Sequence, residues 1–152
     1  MEPEETPFEI LDHPADVGFL AHGRTLEELF ANAALAMMAL AYELEGVEER
    51  EQREIEAEGE DTESLLYDWL SAILAVTDTE RLVFKRFEIE TVGARGNVPL
   101  PAGNLTVRGT AWGEPFEKGR HRARTYVKAV TLHQFEVRES ERGWTARVYL
   151  DV

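Results

Sequence analysis

Two stretches of helical period stand in a chain whose other apolar residues mostly alternate, and that mixture decides the fold class. Leu26, Leu29, Phe30, Ala33, Ala34, Met37 and Met38 recur at three- and four-residue intervals, which predicts a helix reaching about Tyr42. Thr25 is placed to cap it, and Glu28 three residues on completes the pattern of a capping box. Leu65, Leu66, Trp69, Leu70, Ile73 and Leu74 repeat the period in a second helix that opens after Gly59-Glu60-Asp61. Acidic residues in its first turn suit the positive end of the helix dipole.

Seven strands are expected around these helices: Phe8–Leu11, Val17–His22, Arg53–Ala57, Leu82–Val92, Leu105–Trp112, Tyr126–Arg138 and Trp144–Leu150. Glu141-Arg142-Gly143 makes the last pair a hairpin, and the stretch from Gly93 to Gly103 reads as a loop. The order β-β-α-β-α-β-β-β-β predicts an α+β fold, two helices packed on mainly antiparallel sheet. A length of 152 residues suits a single domain, 1–152, with an acidic segment 1–6 expected to be flexible.

Composition removes several function classes. The formal charge of −14 argues against an RNA or DNA grip of the chain's own, because such affinity comes from Lys and Arg on phosphates. Cation binding, docking on a basic protein surface and plain solubility are the natural uses of such a field. The absence of cysteine excludes disulfides and thiolate metal sites and suits a cytoplasmic protein. No apolar run approaches a membrane span, and the N-terminus lacks the plan of a signal peptide.

Candidate chemistry gathers at the two ends of the sequence. Asp12-His13-Pro14-Ala15-Asp16 follows the first strand, and the final strand runs into Asp151-Val152. If Asp16 lies beside that end, carboxylates converge and repel unless protons or a hard cation neutralise them. Oxygen ligands of this kind suit Ca²⁺ or Mg²⁺. The bland reading stands beside it: Asp12 or Asp16 caps a turn, Asp151 is solvated, and His13 bonds to backbone. Lys128 shares the period-two face of Tyr126, Val130 and Leu132, so it either snorkels at an edge or is held for a carboxylate. The basic segment Lys118–Arg124 reads as a phosphate or acidic-partner loop, or as a surface loop balancing nearby acids. No Gly-rich phosphate loop, helical His-x-x-x-His pair or nucleophile elbow is present.

The segment Phe8-Glu9-Ile10-Leu11-Asp12-His13-Pro14-Ala15-Asp16-Val17-Gly18 resembles the opening signature of the archease family. Gly23–Phe30, Asp61–Leu70, Gly109–Glu114, Val127–Thr131 and Leu150-Asp151-Val152 resemble further motifs of that family in the same order. Pro14, where threonine is usual, and Leu132-His133 depart from its pattern; neither removes a carboxylate or the lysine.

The resemblance implies an accessory protein that activates the RtcB-type RNA ligase of tRNA splicing and RNA repair. It would promote guanylylation of the ligase and repeated turnover. By position, the metal site implied falls on Asp16, Asp151 and Val152, with Asp12 and His13 as outer supports and Lys128 as the functional lysine. Calcium is the cation expected, with magnesium or manganese as alternatives. RNA would be met only through the ligase, no membrane is involved, and self-association is left open. The competing readings are a small metal-dependent hydrolase, which needs an open coordination position and a separate base, and a general protein chaperone.

Overall fold

A computed structural model describes residues 7–12, 16–94 and 105–152. In chain order it contains β1 (Phe8–Asp12), β2 (Asp16–Gly23), α1 (Leu26–Ala41), β3 (Glu51–Gly59), α2 (Thr62–Glu80), β4 (Leu82–Ala94), β5 (Leu105–Pro115), β6 (Ala129–Ser140) and β7 (Gly143–Asp151). The α+β class and the element order are those expected from the sequence. The strands divide into two antiparallel sheets rather than one, ordered β1-β2-β7-β6 and β3-β5-β4. The segment 1–6 lies outside the described residues, as do 13–15 and most of the loop expected over 93–103.

Both helices begin where their caps dictate. The Thr25 side chain accepts from the Glu28 N–H at 3.1 Å, while Glu28 reaches back to the N–H of Arg24 (2.8 Å), one residue before the position a standard box would use. Asp61 caps α2 and forms a reciprocal box with Ser64. The Ser64 N–H and hydroxyl hold the Asp61 carboxyl below its ordinary 3.8.

Each helix packs against both sheets: α1 meets β2 and β4, and α2 meets β3 and β6. That explains the width of the apolar surface on α1, where Leu29, Phe30, Ala33, Ala34, Ala36, Met37, Met38 and Ala41 are all buried. Trp69 of α2, fully buried, donates its indole N–H to the Phe30 carbonyl of α1 at 3.1 Å and ties the helices together. α1 ends without a basic residue of its own. Arg124, distant in sequence, supplies one: its N–H donates to the Ala41 carbonyl (2.7 Å) and its guanidinium to that of Ala39 (3.4 Å).

β6 departs most from expectation. It begins at Ala129, not Tyr126, and its pairing with β7 breaks between Thr131 and Glu136. Gln134 adopts a left-handed φ of 52° there, and Arg147 on β7 holds the excursion by donating to the Gln134 carbonyl (2.9 Å) and pairing with Glu136 (3.3 Å). The break undoes the face sharing read from the sequence: Val130 is buried, whereas Tyr126 and Leu132 are 69% and 68% exposed.

Candidate functional site: a carboxylate corner

The register of the four-stranded sheet places Asp16 directly opposite Asp151. Cβ atoms of such antiparallel partners lie about 5 Å apart, on one face of the sheet. The next pair inward is Val17 with Leu150, and Leu150 is fully buried, so the period of two turns both aspartates away from the core. β6 approaches β7 from the other side, with Ala129 opposite Asp151. The Lys128 N–H donates to the Asp151 carbonyl at 2.7 Å. Asp12 ends β1 opposite Val17, one pair from the aspartates. Four positions from three remote parts of the sequence thus meet at one end of one sheet.

The floor beside the corner is shaped by Gly18. A Cβ at that position would stand 2.6 Å from two ring carbons of Tyr149, so the glycine makes room for the tyrosine on the solvent face. The His133 ring lies 5.6 Å from that of Tyr149. Asp151, Lys128, Ala129 and Val152 are exposed and Asp16 is partly so, which leaves the corner open to a second molecule.

The donor set is all oxygen, which fits a hard divalent cation and excludes nothing among calcium, magnesium and manganese. Among the described residues no group of three or more His, Asp or Glu side chains is placed to hold a cation, so the corner itself offers two aspartates. His13 lies outside the described residues.

Glu114 closes the motif Gly109–Glu114, but nothing in the sequence marks it as buried. This residue, at the end of β5, is completely buried, yet it is charged. Its Oε2 accepts from the Glu48 N–H (2.8 Å), His121 Nε2 (2.9 Å) and Arg120 (2.5 Å), and Oε1 accepts from Arg50 (3.3 Å). Burial disfavours its charge, but the Glu48 N–H, His121, Arg120 and Arg50 together hold the carboxyl below the ordinary 4.5. The Nδ1 of His121 accepts the Glu117 N–H at 2.8 Å, so Nε2 carries the proton and the ring is neutral. The basic segment 118–124 stays exposed apart from His121, but it is tied down: Arg120 and His121 fix it to β5, and Arg124 fixes it to α1.

These features define a small, acidic α+β domain that presents two aspartates and a lysine at a sheet end. The sequence model of the archease protein family (MTH1598/TM1083) matches residues 8–152. The chain belongs to the archease family. It is 41% identical to the protein archease of Methanothermobacter thermautotrophicus over 145 residues, which are 95% of this chain and 98% of that protein. Identity to the protein archease of Sulfurisphaera tokodaii is 35% over 145 residues, again 95% and 98% of the two chains. The solution structure of Methanobacterium thermoautotrophicum protein 1598 superimposes with a TM-score of 0.81 at 41% identity, covering 96% of this chain and 99% of that one. A Thermotoga maritima archease structure, described as a possible chaperone, covers both chains fully with a TM-score of 0.55 at 19% identity and shows the shared fold.

Proposed function

We propose that the protein is a non-catalytic activator of a GTP-dependent RtcB-type RNA ligase, cytoplasmic, acting in tRNA splicing and RNA repair as one domain over residues 1–152. The observation that carries the reading is the direct pairing of Asp16 with Asp151 beside Lys128, in a chain of the archease family. Asp16, Asp151 and a main-chain oxygen of Val152 would hold a divalent cation, calcium first, with Asp12 and His13 supporting them. Once bound, the cation supplies positive charge that oxygen ligands of nucleotide or ligase can share.

The rest is the work of this chain's own residues. Asp16 and Asp151 project from a rigid sheet end, so they enter a partner's cleft without an ordering cost. Lys128, fixed through its main chain to β7, presents a mobile ammonium beside them for a nucleotide phosphate or a ligase carboxylate. A ligase site that gathers GTP, metal and RNA ends is expected to be positive, complementary to a net charge of −14. RNA is met through the ligase.

The test is multiple-turnover ligation with and without the protein. Asp16→Ala and Asp151→Ala should each abolish stimulation while leaving the melting temperature within about 3 °C. Full stimulation by both variants sinks the role of the corner. The description of the Thermotoga maritima relative as a possible chaperone favours a second reading. Suppression of aggregation of unrelated proteins, undiminished in the two variants and without effect on ligation, would establish that reading instead. Phosphoester turnover by the protein alone would make it a hydrolase.

A further inference from the structure

A cavity of about 310 Å³ opens between the last turns of α1 and α2 and the segment 123–127. Its floor is apolar, formed by Met37, Met38, Leu74 and Val127. Its rim carries Tyr42, Asp78, Arg124 and Tyr126, none of which belongs to the carboxylate corner. The volume is at the lower end of the range for small-molecule sites, large enough for an aliphatic chain or one ring.

Of the two charged lining residues, Asp78 and Arg124, only Arg124 is engaged. Both helices end here with no basic residue in the last turn, and the carbonyls of α1 are met by Arg124 from outside the helix. The Asp78 carboxylate, exposed at the mouth, forms no hydrogen bond or ion pair with the described residues. The Tyr42 hydroxyl likewise has no hydrogen-bond partner among them. Two cations stand near: Arg124 is engaged with the Ala39 carbonyl, and Arg81 follows α2 as its C-cap. Burial, and after it the Asp78 charge, raises the Tyr42 phenol above its ordinary 10.0 against the opposing charge of Arg81.

We propose that this cavity binds a small organic ammonium ion, its apolar body on the methionine floor and its charge between Asp78 and the tyrosines Tyr42 and Tyr126. Carboxylate and aromatic faces around an apolar slot are the chemistry that selects an alkylammonium over an alcohol or a carboxylate of the same length. Tyr126, 69% exposed, stands at the mouth. The site is independent of the ligase reading, because neither Asp16, Asp151 nor Lys128 lines it.

Titration of the full chain with hexylammonium, 1-hexanol and hexanoate tests this, read from the ε-methyl signals of Met37 and Met38. Hexylammonium should bind with Kd on the order of 1 mM, hexanol about tenfold more weakly, and hexanoate not measurably. Asp78→Asn should weaken hexylammonium about tenfold and leave hexanol unchanged. That variant should fold, since a carboxylate in the last turn of a helix opposes the dipole and its removal costs nothing there. Tyr126→Ala should weaken hexylammonium again. Equal binding of amine and alcohol, an unchanged amine affinity in Asp78→Asn, or silent methionine methyls would each overturn the proposal.

Discussion

Glu114 shows what one residue can hold together. A charged carboxylate with no exposure survives because four donors from two segments converge on it: the Glu48 N–H and Arg50 just before β3, and the pair Arg120 and His121. Glu114→Gln keeps the shape but faces an amide nitrogen or an uncharged oxygen toward cations. The cost should be about 3 kcal/mol, read as a fall of about 8 °C in melting temperature at pH 7. The sign of its pH dependence follows from the direction of the shift. The folded carboxyl titrates below 4.5, so its contribution is complete above 4.5 and is lost as pH falls through the folded value. Urea melts should therefore show a gap between wild type and variant that narrows from pH 7 to pH 3.5. Asp61, Glu49 and Glu136, also held low, are common to both proteins and drop out of the difference. A gap of the same size at both pH values would mean that Glu114 stabilises by shape and not by charge.

Elements differ in how much of them a sequence can announce. Both helices are legible from their apolar stripes, which repeat within one turn, and the first from its cap as well, because Thr25 acts on a group three residues away; that Asp61 caps the second is a finding of the structure. Removing either cap tests that local logic. Thr25→Ala or Asp61→Ala should cost about 1 kcal/mol, a drop of about 3 °C, and the two should add because they sit on different helices. The sum would depart from additivity only if the helix starts were coupled. Strands announced their existence but not their ends or their partners. β6 reads as an unbroken alternation from Tyr126, and only Arg147, from another strand, reveals why it bulges at 132–135. The same limit applied to the corner. Asp16 and Asp151 could be singled out as chemistry-bearing residues, but their adjacency depends on β7 entering between β2 and β6, a register set by core packing of Phe19, Val148 and Leu150. The burial of Glu114, though it ends the motif Gly109–Glu114, and the cavity at Asp78 have no signature of their own, since burial of a lone glutamate and the meeting of two helix ends are properties of the tertiary fold.

At the scale of the molecule the acidic surface acts as a whole. The outer face of the second sheet carries glutamates on β3 and β4, and Arg86 stacks 3.7 Å over Trp112 between them, so charge and not apolar area faces solvent. These glutamates lie on a different sheet from Asp16 and Asp151. Under the proposed function they still matter, because a field from −14 charges steers a positive partner before contact. Long-range steering and short-range recognition separate kinetically. Replacing Glu54, Glu60 and Glu90 together by Gln removes three of the 14 net negative charges without touching the corner or an ion pair among the described residues. The association rate with the ligase should fall about threefold at low salt, with the dissociation rate unchanged. Raising ionic strength to about 0.5 M, where the screening length shrinks to a few ångströms, should erase the difference between the triple variant and wild type. Asp151→Asn should behave oppositely, speeding dissociation at every salt concentration. A triple variant that associates as fast as wild type at low salt would confine the electrostatics of docking to the corner and leave the remaining charge to keep the protein soluble.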